Sequence, residues 1–153
     1  MSHLHFGDRG ALVSSLGYSD AELDALRIAR HFFHAFCEPG KQGWIGAFGY
    51  ALRARGPDQG PQFALATLNA IQAVRQIRHS SFRFNCPTCK DCARYLSGNE
   101  RSYMSALRAA VRRDEQALAG QLWLLCESND PTKATEAFLT LGSFMPALAE
   151  APL

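Results

Sequence analysis

The chain has 153 residues, 47% of them hydrophobic, with 16 Lys and Arg against 14 Asp and Glu. That composition excludes a disordered or collagen-like chain, and the length suits one domain burying roughly 68–70% of its unfolded surface. No apolar run approaches the roughly 20 residues of a membrane-spanning helix, and residues 1–9 lack the pattern of a secretory signal, so a cytoplasmic protein without membrane contact is expected.

Residues 1–18, interrupted by Gly7, Gly10 and Gly17, read as an irregular lead-in. Ser19-Asp20-Ala21-Glu22 has the form of a capping box, with Tyr18 and Leu23 placed as a hydrophobic staple. The helix it opens should run to about Cys37 and stop at Pro39-Gly40, burying Leu26, Ala29, Phe33 and Phe36. At about 100° per residue, Cys37 falls inside that face, His34 on its flank and His31 toward water.

Gly40, Gly43, Gly46 and Gly49 recur at every third residue. Trp44, Phe48 and Leu52 still align at helical spacing and predict a helix over 44–55, although each interior glycine costs about 1 kcal/mol. The small residues would let another helix approach closely. A phosphate-cradling loop is the poorer reading, for it lacks a preceding strand and the Lys-Ser/Thr that follows. Pro61 suits a first helical position, and Phe63, Thr67, Ala70, Val74 and Ile77 form a stripe toward His79.

Phe82-Arg83-Phe84 alternates as a short extended stretch. Ser97-Gly98-Asn99-Glu100 is a second capping box, opening a helix with Met104, Leu107 and Val111 inward and Arg101, Arg108 and Arg112 outward. Arg113-Asp114 marks either a break or a polar stripe before Leu118, Leu122 and Leu125. Asp130-Pro131 opens a last helix ending near Gly142. No segment reads as a sheet. The expectation is an all-α, single-domain bundle of about five helices over 19–145, with a cysteine-rich metal-binding loop at 82–96 and a tail at 146–153.

Five cysteines, an odd number, argue against a disulfide scaffold in a reducing compartment. Cys86-Pro87-Thr88-Cys89-Lys90-Asp91-Cys92 places three thiols at C-x2-C-x2-C, a spacing that lets the chain turn and aim its sulfurs at one centre. Arg83, Lys90 and Arg94 add positive charge that favours thiolates. A closed zinc site needs a fourth ligand. Cys37 is preferred, weighed equally against a plain core role, with Cys126, His34 and His79 behind it. Zinc is the expected cofactor. A [4Fe–4S] cluster is the alternative, although Ala93-Arg94-Tyr95-Leu96 stands where a ferredoxin-type run carries its next Cys-Pro. A redox pair at Cys86 and Cys89 lacks the βαβ setting of that chemistry.

Charge is uneven along the chain. Residues 1–74 balance, 75–113 carry nine basic side chains against two acidic, and 114–153 carry one against six. Arg75, Arg78, Arg83, Lys90, Arg94, Arg101, Arg108 and Arg112 are therefore candidate phosphate contacts, against the plainer reading of a solvated helix face. Hydrolase, zinc-protease, P-loop and dinucleotide motifs are missing, so an enzyme is not favoured. The expected function is a zinc-binding helical regulator acting on or near nucleic acid, or on a protein associated with it. The alternatives are an iron–sulfur sensor or electron carrier, and an adaptor that binds protein through its acidic C-terminal helices.

Overall fold

The computed structural model describes residues 2–4 and 10–146 of the chain. Five α-helices are present among these residues: α1 Asp20–Cys37, α2 Gly43–Ile77, α3 Gly98–Arg112, α4 Glu115–Leu125 and α5 Thr132–Ser143. Both capping boxes form. Ser19 and Ser97 accept the amides of Glu22 and Glu100, whose carboxylates accept the serine N–H groups in return. Arg113, in the left-handed region, ends α3, and Asp114 caps α4 through the Ala117 amide, so the polar pair is a break. No helix among the described residues is long and apolar enough to cross a membrane.

Two small pairings depart from the sheet-free expectation. Strand β1 (Ser2–Leu4) lies parallel to β3 (Arg83–Asn85), and β2 (Ala11–Leu12) lies antiparallel to β4 (Tyr95–Leu96). Strands of two or three residues are too short to display an alternating pattern, which hid the order within the 1–18 lead-in. Apart from Pro146, the 146–153 tail lies outside the described residues.

Helices α1 and α2 form an antiparallel hairpin. Gly43 backs onto the His31 carbonyl and Ala35, and Gly46 onto the His31 ring, so closely that a methyl group at either would collide. Ala47 and Ala51 complete this small-residue face, while Trp44 and Leu52 are 53% and 42% exposed. Of the large stripe, Phe48 does pack inward, edge-on to Phe32 at 5.8 Å, while Trp44 and Leu52 yield to the small face because close approach of two helices excludes bulk. Helix α2 is also longer than the two segments read from sequence. It kinks at Gly56, where a φ of 80° breaks the helix, and the second segment restarts at Pro57 rather than Pro61.

The core is centred on Phe33, whose ring meets Phe82, Phe84 and Tyr103 at 4.6, 5.5 and 5.6 Å; Tyr103 in turn meets Phe138 at 5.4 Å. One aromatic chain therefore ties α1, α3 and α5 to the strand that enters the cysteine loop. Phe36 is only half-buried and lies under the Arg75 guanidinium at 3.7 Å. Helices α1 and α3 are cross-linked twice. The capping carboxylate Glu22 receives Arg108 at 2.8 and 2.9 Å, and the capping carboxylate Glu100 receives Arg30 at 2.6 and 3.1 Å.

Candidate thiolate site and its cationic surroundings

The cysteine loop rests on a closed base. Phe82 and Phe84 are buried on either side of Arg83, fixing the entering strand. The Asn85 side-chain Nδ2 donates to the Tyr95 carbonyl, and the Ser97 hydroxyl donates to the Arg83 carbonyl at 2.7 Å. From α1, Arg30 donates to the Ala93 and Tyr95 carbonyls at 2.8 and 2.6 Å while its remaining edge holds Glu100. Each nitrogen of that guanidinium donates to an acceptor, which allows it to lie only 3% exposed.

Above this base the chain makes a helical turn. The Ala93 amide donates to the Cys89 carbonyl at 2.9 Å, and the Cys92 amide to the Cys89 sulfur at 3.4 Å. The Cys89 thiol is drawn below the ordinary cysteine range, first by a side-chain hydrogen bond from Cys92 and then by the Cys92 and Asp91 amides. Cys92, buried at 8% exposure, is pushed up to about 11 by burial, by its bond to Cys89, and by the charges of Cys89, Cys86 and Asp91. The two sulfurs thus share a hydrogen bond that favours ionisation at Cys89 over Cys92. Cys86, 4% exposed, shares a 3.3 Å hydrogen bond with the Thr88 hydroxyl.

The structure brings Cys89 and Cys92 together. It does not bring all the expected ligands together: among the described residues, no three His, Cys, Asp or Glu side chains are set to hold one ion. Cys37 is half-buried at the end of α1 and packs against the core. The turn after it carries Lys41, whose ammonium is stabilised chiefly by Glu38 at 2.8 Å and in smaller part by Cys86. His34 is buried, with its Nε2 3.8 Å from Glu38. Cys126 lies in the core, its thiol raised by burial, and His79 is exposed beyond α2 with its amide on Glu127.

The basic stretch divides in two. Arg78 donates to the Ser80, Ser81 and Leu125 carbonyls, and Arg108 to Glu22 and Gly17, so both are structural. Arg75, Arg83, Lys90, Arg94, Arg101 and Arg112 are exposed. Lys90 and Arg94 also line a cavity of about 470 Å³ together with Arg27, Arg30, His31 and Tyr50. His31, expected toward water, is half-buried, because Gly46 lets α2 close over it. Sequence reasoning missed Arg27, Arg30 and Tyr50. Their one signal was the i, i+3, i+4 spacing of Arg27, Arg30 and His31 along a single face.

No family model, curated protein or solved structure matches the chain.

Proposed function

We propose that the protein is a small helical regulator whose working element is a thiolate centre in loop 86–92, filled by zinc, with a [4Fe–4S] cluster as the competing occupant. The observation that carries this reading is the turn at Cys89. A cysteine sulfur that accepts a backbone N–H from the third residue on, itself a cysteine, has the geometry that aims a C-x2-C pair at one centre. Cys89 and Cys92 would supply two of the zinc ligands. Cys86 would be the third after side-chain rotation away from Thr88, and Cys37 would be the fourth from the end of α1. A bound ion would lock the loop and so set the angle between β3 and α3. The six exposed basic side chains support a polyanionic partner such as nucleic acid.

Elemental analysis with an anaerobic absorption spectrum tests the metal. One zinc per chain in a colourless sample, lost in Cys89→Ser, is the expected result. A brown sample replaces zinc with the cluster, and a metal-free, fully reduced sample removes the metal altogether. The polyanion is tested by titration against duplex and single-stranded DNA at several salt concentrations. Affinity falling steeply with salt supports it, and a flat response overturns it.

A second reading is favoured by the pairing of Cys89 with Cys92 alone: a reversible disulfide. The Cys89 thiolate attacks a low-molecular-weight disulfide and expels one thiolate. Cys92, losing its proton to that thiolate or to solvent, then displaces the second thiol, so the chain loses two hydrogens and the small disulfide gains them. Incubation with oxidised glutathione, followed by intact mass measurement, should show a loss of two hydrogen masses confined to the 89–92 peptide.

A further inference from the structure

The cavity beside the loop is built for a ligand that the thiolate reading does not use. Its volume, about 470 Å³, lies within the range of small-molecule sites. None of its lining side chains is a cysteine, although Pro87 and Lys90 belong to the cysteine loop.

The lining is strongly one-signed. Arg27, Arg30, Lys90 and Arg94 all contribute, and no carboxylate does. Their charges are not equally available. Arg30 is neutralised by Glu100. Arg94 has a loose partner, with its Nη1 3.8 Å from the Asp91 carboxylate. Arg27 lies over the Tyr50 ring, 5.5 Å from its centroid, and donates to its hydroxyl at 3.0 Å, while that hydroxyl donates to Asp24 at 2.7 Å. Lys90, exposed on the loop, has no ion-pair or hydrogen-bond partner among the described residues. Positive charge thus comes from α1 and from the cysteine loop, the two walls of one cleft.

Part of the lining is apolar. Leu23 and Leu26 from α1, Val13 from the lead-in, and Pro87 and Ala93 from the loop supply it. A free inorganic ion would leave that surface wet, and a neutral apolar molecule would leave the cations unused. We propose that the cavity binds a small organic phosphate monoester, its flat apolar body on Leu23, Leu26 and Pro87 and its dianionic group held by Arg27 and Lys90. Two separate cations match a dianion better than a monocarboxylate, and the Tyr50 ring beneath Arg27 holds that guanidinium in place.

The probe is 4-nitrophenyl phosphate, titrated calorimetrically into the full chain, with 4-nitrophenol and inorganic phosphate as comparisons. Saturable binding of one equivalent is expected, with each comparison compound at least about tenfold weaker, a difference of about 1.4 kcal/mol. Lys90→Gln and Arg27→Gln should each weaken the ester at least about fivefold with an unchanged circular dichroism spectrum. Lys90 lies on an exposed loop, so its variant keeps the test alive should Arg27→Gln disturb α1. Four results overturn the proposal: no saturable binding of the ester, equal binding of 4-nitrophenol, equal binding of inorganic phosphate, or unchanged affinity in Lys90→Gln.

Discussion

Arg30 and Glu100 meet beneath the surface, Nε to Oε2 at 2.6 Å, with side chains 3% and 0% exposed. The pair joins α1 to the first turn of α3, and the same guanidinium holds the Ala93 and Tyr95 carbonyls where the cysteine loop leaves its turn. Loop geometry therefore depends on a residue far away in sequence. Removing one partner of a buried pair strands the other and typically costs about 3–5 kcal/mol. Arg30→Ala should lose that much stability in urea denaturation, and Arg30→Lys most of it, since an ammonium cannot bridge a carboxylate and two carbonyls. A loss below about 1 kcal/mol would mean that the pair is worth no more than a surface one.

Arg108 and Arg112 sit one helical turn apart on α3 and should behave oppositely. Arg108→Gln leaves buried Glu22 without its main partner and should lower the melting temperature. Arg112→Gln removes an exposed charge and should leave melting unchanged, while reducing the salt dependence of DNA binding by about one phosphate contact. Similar effects from the two substitutions would show that burial does not separate structural from contacting arginines.

Much of this architecture is legible in sequence because it is local. Both capping boxes lie within four residues, and the stripes Leu26–Ala29–Phe33 and Phe63–Thr67–Ala70–Val74 need only helical spacing. Where two stripes share one helix, periodicity has no means of ranking them, so Trp44 and Leu52 compete with Gly43, Gly46 and Ala47 until close packing decides. The C-x2-C turn is likewise local, and Cys89 and Cys92 do pair. The cationic cleft is not local. Arg30 and Glu100 stand 70 positions apart, and summing charge over 1–74 to zero concealed Arg27 and Arg30 on one face.

Glu127 provides a pH test at the junction of α2 and α4. Its carboxylate accepts the Ser80 hydroxyl and the Ser80 and His79 amides, which holds its pKa down at about 2, below its ordinary value of 4.5. The folded value lies below the unfolded one, so this contribution is complete above pH 4.5 and is lost as pH falls toward 2. Exchange of the His79 and Ser80 amides, corrected for intrinsic rates, should accelerate through that window and be fast throughout in Glu127→Gln. Protection that persists to the acid limit would contradict the assignment.

His31 titrates in a separate window. Burial first, then His34 and Arg53, hold its imidazole below the ordinary 6.5. The unfolded chain takes up the proton first, so stability declines as pH drops below 6.5, until the folded value is passed. A proton-coupled NMR titration should give a midpoint below 6.5 for His31, and His31→Gln should flatten this part of the stability profile. A midpoint at or above 6.5 would place the ring in water.

The proposed metal centre is tested most directly by native mass spectrometry of the whole chain, prepared without oxygen, beside its Cys89→Ser counterpart. The unaltered chain should carry the mass of one zinc ion, less the protons that its bound thiols release, and the variant should carry none. A chain at its bare, fully reduced mass after incubation with excess zinc would contradict the claim that these sulfurs form a metal-binding centre.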